Sequence, residues 1–567
     1  MGCTFQQPEE ETDMHNAVHG KARIAACPWR LTASTRALIG LIGALGLAGN
    51  GHAIELTQDS DFKLRWDNTF KYSAVFRLKN PSARIVNGDP GGPPPGPELD
   101  DGDLNFKKGV VSNRIDLLSE LDGAYKQMGF RVTGAAWYDS IYNRSNDNTS
   151  ATVNSISVPA GQFTAETRKV MGRKAELLDA FVYLKSDAES ESPWIVRAGK
   201  HTVLYGESLF FGANGIANAQ APIDLVKLLA VPGSQFKEII RPVGQVSMQL
   251  QATPGVSIGA YYQYKWDLSR LPASGSYLSD ADFVGAGAER VLPFVHTSDL
   301  KAKNSGQGGV AVRFKPEGGV EYGLYAARYH DKAPSLYLDP VSTTYKLVYP
   351  EGINTFGGSF STTIGPSNVS GEVSMRTNAN LVSDPQIDPG YAGNNNSNPL
   401  YAVGKTAHAQ VSTITLFGKS PIWDGAVFLN ELAWNRTLSI SKNPNALDQN
   451  TTRDAWAFRM ILEAQYFQAL PGIDLSVPVG LGYNPSGRSS AVFKFNGGTE
   501  HAGDFSIGLT ANYHNTTKAS INFVHFFGKE NAFLKPNTSA VPGPFSLSFA
   551  QSLRDRDFIS FSLQSTF

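Results

Sequence analysis

The sequence predicts an all-β protein: a transmembrane antiparallel β-barrel of about eighteen strands, with sixteen as the alternative count, and one loop that folds inward. Three observations predict it. Apolar and polar residues alternate with a period of two over long stretches. The alternation recurs from the first third of the chain to its end. The connections between the alternating stretches are sorted, short ones taking turns with long ones. The closing stretch, 557–567, shows the pattern most plainly as D-F-I-S-F-S-L-Q-S-T-F. Ile559, Phe561, Leu563 and Phe567 share one parity, and Ser560, Ser562 and Gln564 the other, so its two faces meet different environments.

Composition narrows the alternatives. The chain has 567 residues, 50 of them Lys or Arg and 51 Asp or Glu, a balance that does not point to nucleic acid. Aromatics at 11% and 55 glycines fit a chain of strands and turns rather than a disordered one. No apolar run reaches the roughly 18 residues of a membrane helix, so a membrane crossing requires a closed barrel.

Residues 1–53 read as a signal peptide: Lys21, Arg23, Arg30 and Arg36, an apolar run over 37–48, then Gly51-His52-Ala53 as a cleavage site. Translation starts at Met1 or Met14 on this reading. Both cysteines, Cys3 and Cys27, precede the site. The expected mature chain, 54–567, therefore has no disulfide, thiolate metal site or cysteine nucleophile.

The first mature strand, 62–78, places Phe62, Leu64, Trp66, Phe70, Tyr72, Ala74, Phe76 and Leu78 on one parity. The same reading gives strands at 111–125, 129–143, 174–186, 194–205, 241–252, 256–267, 306–315 and 320–332. It continues at 355–365, 368–380, 404–418, 425–437, 453–468, 473–483, 504–514, 518–528 and 554–567. Short connections such as 126–128, 253–255, 316–319, 469–472 and 515–517 are the expected periplasmic turns. Long ones such as 79–110, 144–173, 206–240, 268–305 and 529–553 are the expected outer loops. The last strand is expected to pair with 62–78, and Phe567, Leu563, Phe561 and Ile559 to form the assembly signal that ends bacterial outer-membrane barrels.

Three loops stand apart. In 88–103, Asp101, Asp103 and Asn105 have the spacing of a calcium loop without its turn glycine and distal Glu, and read as an exposed acidic turn. Residues 385–399 read as a flexible outer loop. The loop 206–240 is apolar enough to be poorly placed in water. It is expected to fold into the barrel as a constriction, with a short helix over 222–230 carrying Leu225, Leu228 and Leu229 on one face.

If the apolar parity faces lipid, the other faces the lumen and carries Arg65, Glu120, Asp122, Arg131, Asp139, Arg197, Glu372, Arg376, Glu431, Arg459 and Glu463. An Arg or Lys turned to lipid at mid-bilayer would cost about 2–4 kcal/mol. These mixed charges are expected either to set a transverse field across the bore or to pair across strands. Glu207, Leu225, Lys227, Leu228, Glu238 and Arg241 join them as constriction candidates. The chain has no H-E-x-x-H, G-x-S-x-G or P-loop, so no catalytic residue, metal ligand or cofactor site is expected.

Several stretches together resemble the bacterial domain-of-unknown-function family 1302, a set of outer-membrane barrels. They are Asp101-Gly102-Asp103-Leu104-Asn105-Phe106, Ser119-Glu120-Leu121-Asp122, Arg197-Ala198-Gly199-Lys200, Tyr205-Gly206-Glu207-Ser208 and Val231-Pro232-Gly233 before Phe236-Lys237-Glu238. Gly275-Ser276-Tyr277, Tyr329-His330, Tyr349-Pro350-Glu351-Gly352-Ile353 and Gly371-Glu372-Val373-Ser374 continue the match. The family has Trp where Tyr205 stands and Gln where His201 stands. The resemblance implies an outer-membrane location and a role with hydrophobic compounds such as lipids, steroids or aromatics. It also implies a periplasmic lipoprotein-sorting-like partner and an inner-membrane exporter. Outer-membrane lipid, lipopolysaccharide and the barrel assembly machinery are expected partners, nucleic acid is not. The expected function is a porin-like channel for small hydrophobic or amphipathic compounds. The alternatives are a structural or partner-binding barrel that supports envelope export and, more remotely, an outer-membrane hydrolase.

Overall fold

Alternating sequence becomes strand because each face of a pleated chain needs one environment along its whole length. All eighteen expected strands form. They are β1 (Phe62–Arg77), β2 (Gly109–Tyr125), β3 (Met128–Asp139), β4 (Arg173–Lys185), β5 (Trp194–His201) and β6 (Val243–Thr253). Next come β7 (Val256–Gln263), β8 (Gln307–Phe314), β9 (Glu321–Tyr329), β10 (Ile353–Ile364), β11 (Ser367–Asn380) and β12 (Val403–Phe417). The set ends with β13 (Gly425–Lys442), β14 (Asp454–Leu470), β15 (Ile473–Ser486), β16 (Gly503–Tyr513), β17 (Thr517–Phe527) and β18 (Phe558–Thr566). This computed structural model describes residues 54–55, 61–87, 100–187, 189–291, 293–536 and 545–567; the expected signal peptide, 1–53, lies outside the described residues.

Each strand pairs antiparallel with its neighbours in sequence, and β18 returns to β1, with Tyr72 opposite Leu563 and Phe76 opposite Ile559. The seam is fastened at its end: Phe567 N–H donates to Asn68 O at 2.9 Å, and Asn68 N–H to Phe567 O at 2.8 Å. A closed ladder leaves no edge strand facing hydrocarbon.

The wall is inside out relative to a soluble protein. On β2, Ser112, Arg114, Asp116 and Glu120 are buried while Ile115 and Leu117 are exposed. On β18, Ser560 and Ser562 are buried, and Ile559, Phe561 and Leu563 are half-exposed on the other face. Leu324, Phe356, Val373, Val411, Ile507 and Ile521 extend the apolar exterior around the ring. An apolar surface this extensive is stable only against lipid.

Turns of a few residues join the strands at one end and long loops at the other, and the long loops are folded. Segments Arg290–Val291, Phe294–His296, Ser335–Asp339, Thr344–Val348 and Gln386–Ile387 from three different loops build a five-stranded sheet over that end. Residues 385–399, expected as a loose loop, are therefore tied down: Gln386 and Ile387 pair with Tyr337 and Leu338, and Asn395 donates to Tyr349 O at 3.0 Å. The acidic turn is likewise not exposed. Asp103 is fully buried, 2.5 Å from Arg77 Nη2, and Arg556 contacts both Asp100 and Asp103. Its carboxylates neutralise two buried guanidinium groups, a role that spacing alone does not distinguish from a calcium loop.

Candidate functional site

The site is the inward segment between β5 and β6. The chain leaves β5 at His201 and bends at Gly206, whose φ is +92°. A Cβ there would lie 2.3 Å from Glu372 Oε2, so a side chain is excluded on two counts. A 3₁₀ turn (Ile216–Ala219), the helix α1 (Leu225–Ala230) and the helix α2 (Phe236–Ile239) follow.

On one side the segment is held by carboxylates that accept backbone N–H groups. Glu372 on β11 takes Glu207 N–H at 2.7 Å and Ile216 N–H at 2.9 Å. Glu431 on β13 takes those of Leu209, Phe210 and Phe211 at 3.2, 2.5 and 2.9 Å. Arg376 supplies the complement, its Nη2 donating to the carbonyls of Ala213, Asn214 and Gly215 at 2.8–3.0 Å. Asn214 bonds Gln410 on β12 at 3.1 Å, and Phe211 packs on Phe495.

The opposite attachment is a buried ion cluster. Asp224 caps α1, accepting Lys227 N–H at 3.0 Å. Lys227 Nζ then reaches Asp116 on β2 and Glu238 on α2, each at 2.8 Å. Glu238 closes a capping box with Gln235 and lies 3.9 Å from Lys71 on β1. Burial pushes the Glu238 carboxyl up, but Lys227 and Lys71 together hold it below its ordinary value. Lys237 pairs with Glu120, and Arg270 bridges Asp224 and Glu176. Trp137 lies beneath the cations, its ring 4.8 Å from Arg114, 5.2 Å from Lys227 and 5.6 Å from Arg270. Since β2 and β12 stand eight strands apart in the ring of eighteen, the segment crosses the bore from wall to wall.

The remaining expected lumen residues divide. Arg131 forms a two-point pair with Asp122 at 2.6 and 3.1 Å, and Arg459 one with Asp504 at 2.6 Å. Arg65 meets Asp67, Glu463 accepts from Gln465, and Asp139 accepts from Ser112. Arg241, at the segment's exit, reaches Asp267 at 3.1 Å. Most of these charges are thus committed to partners rather than aligned as an open transverse field. The expected helix face is also corrected. Val226 and Lys227 are buried while Leu228 is 51% exposed and Leu229 exposed, because the ion cluster around Lys227 and the packing of Val226 with Val231, Tyr277 and Leu278 together set how α1 is turned. The reading from sequence missed Asp116, Glu176 and Arg270. Asp116 and Glu176 were within reach, since each lies on the inward parity of its strand; Arg270, in a loop, carries no such signal.

Between the segment's first residues and the inner wall of β5–β8 lies a cavity of about 180 Å³ lined by Arg197, Arg313, Tyr205, Leu204, Ser247 and Gln249, among others. Tyr205 packs against Tyr261 and Tyr325 at 5.6 and 6.0 Å. His201 bonds Ser247 at 2.7 Å just beside it.

A family model described as "Protein of unknown function (DUF1302)" matches residues 34–567. The chain belongs to this family. In this DUF1302 protein the stretches that carry the family resemblance meet in space. Tyr205–Ser208 is held by the Glu of Gly371–Ser374, and Asn105 Nδ2 donates to Gly275 O at 2.8 Å.

No curated protein matches the chain. Among solved structures, OccAB1 of Acinetobacter baumannii is similar at 10% identity and TM-score 0.41, over 92% of this chain and 99% of that one. OpdK of Pseudomonas aeruginosa, solved with vanillate, is similar at 8% and 0.38, over 89% and 98%. The outer membrane channel DcaP of Acinetobacter baumannii is similar at 7% and 0.36, over 90% and 99%. Likenesses this distant carry no functional inference.

Proposed function

We propose that the protein is a passive bacterial outer-membrane channel for small hydrophobic or amphipathic compounds, of lipid, steroid or aromatic type, with residues 206–240 as its constriction. The observation that carries this reading is the double anchorage of that segment, to Glu372 and Glu431 on one wall and to Asp116 on the other. A purely structural barrel needs no polypeptide bolted across its bore at both ends. Exposed Leu228 and Leu229 beside charged side chains suit a solute with both characters. The apolar exterior, the closed even-numbered ladder and the signal segment read from the sequence support the outer membrane as its place.

Uptake into liposomes tests this reading. Deleting 212–230 is expected to raise entry of small amphipathic solutes while the barrel still folds, as judged by heat-modifiable migration. Unchanged uptake through a folded barrel would contradict the channel and leave a supporting role in envelope export.

A further inference from the structure

Seven basic residues were singled out along the lumen and its inward segment, and six of them are engaged. Arg65, Arg131, Lys227, Arg241 and Arg459 sit in ion pairs, and Arg376 holds three carbonyls. Among the described residues Arg197 alone of the seven has neither side-chain ion pair nor side-chain hydrogen bond. It lines the cavity beside the inward segment. Arg313 also lines it, with Glu321 3.7 Å away, the Tyr325 hydroxyl in hydrogen-bond contact and Glu207 as a further charged neighbour. The rest of the lining is mixed. Ile195, Leu204 and the ring of Tyr205 offer apolar surface; Ser247 and Gln249 offer hydrogen bonds. The volume of about 180 Å³ is that of a one-ring guest, since a cavity of about 150 Å³ admits benzene.

A half-buried guanidinium without a counter-ion, facing a cavity with an apolar wall, is complementary to one ligand chemistry: a single negative charge on a small apolar body. Fork geometry favours a planar two-oxygen anion over a point charge. We propose that this cavity is a binding subsite for monoanionic amphipathic molecules of one ring or a short chain. Arg197 takes the carboxylate, Arg313 adds to the field, and Tyr205 and Leu204 contact the apolar part. The proposal rests on the channel reading, whose substrate class it narrows. Arg197 and Arg313 both lie near the short-turn ends of their strands. The subsite is thus on that side of the constriction, where a solute pauses before or after passing it.

Equilibrium titration of the purified full chain in detergent with benzoate and with neutral, nearly isosteric benzamide tests the subsite. Benzoate is expected to bind at least about tenfold more tightly, the difference a charge-assisted bond supplies. Arg197→Gln is expected to abolish the preference while heat-modifiable migration stays unchanged, and Arg313→Gln to reduce it. Equal binding of the two probes, or a preference that survives Arg197→Gln, overturns the subsite. Liposome uptake of the same probes separates the two claims. Flux without anion preference or Arg197-dependent binding removes the subsite and leaves the channel. Arg197-dependent binding without flux removes the channel and leaves the subsite.

Discussion

Glu372 Oε2 accepts the backbone N–H of Glu207 at 2.7 Å, joining β11 to a segment 165 residues earlier in the chain. Its other oxygen takes Ile216 N–H, so both lone-pair faces of one buried carboxylate fix the entrance of the inward segment. In Glu372→Gln, one of these N–H groups would face an NH₂ and lose its acceptor. Stranding a buried donor costs about 1–3 kcal/mol. The variant is expected to fold but to show a larger or noisier single-channel conductance, with the same effect in Glu431→Gln. Conductance traces identical to wild type would count against the anchorage.

Lys227 is the corresponding point on the far wall. Lys227→Met leaves Asp116 and Glu238 as close buried carboxylates with Arg114 and Lys71 as their remaining cations. Breaking a buried pair by removing one partner costs about 3–5 kcal/mol. The expected outcome is protease cleavage within 220–240 while the barrel remains resistant. Protection equal to wild type would show that α1 is held without the ion cluster.

A pH dependence comes from the outer loops. Asp384 and Asp448 are 2% and 0% exposed, and both Asp384 oxygens lack a hydrogen-bond donor. Burial, then the neighbouring Asp448 charge, pushes the Asp384 carboxyl from 3.8 to about 8. The folded state therefore holds a proton that the unfolded chain has released. Its contribution to stability is fully present below 3.8 and lost as pH rises through about 8. Asp384→Asn keeps a neutral group that can donate to Asp448. It is expected to melt higher than wild type at pH 9, by about 1–3 kcal/mol, and to match it near pH 4. Melting curves with equal pH slopes in the two proteins would refute this.

The strands were legible because lipid and lumen impose opposite demands on neighbouring residues, and a period of two survives any loop between strands. Boundaries shifted where loops extend the ladder, as at β13, which runs to Lys442 rather than residue 437. The site was only half legible. Parity placed Glu372, Glu431 and Arg376 in the lumen but could not show that they hold backbone. Those bonds join residues some 160–220 apart and are made by backbone groups, with side-chain identity constrained at Gly206 and Gly215, where a Cβ would meet the Glu372 oxygens at 2.3 and 2.4 Å. The orientation of α1 was misread because leucines at helical spacing imply an apolar contact, whereas the buried partner of Lys227 is supplied by a distant strand. The loop sheet was invisible because its strands are two to five residues long and pair across three loops.

Closure of the ring makes a separate prediction. Deleting Phe567 removes the paired hydrogen bonds with Asn68 and one exposed aromatic at the end of β18. Outer-membrane levels are expected to fall severalfold, while any barrel that does assemble conducts as wild type. Normal levels would argue that the seam between β1 and β18 closes without its last residue.

The central claim is that 206–240 narrows the bore. Planar-bilayer recording of the full chain and of the 212–230 deletion tests it most directly. The account predicts a clear increase in single-channel conductance on deletion, with the barrel intact. An intact deletion barrel with wild-type conductance, or none in either protein, would contradict it.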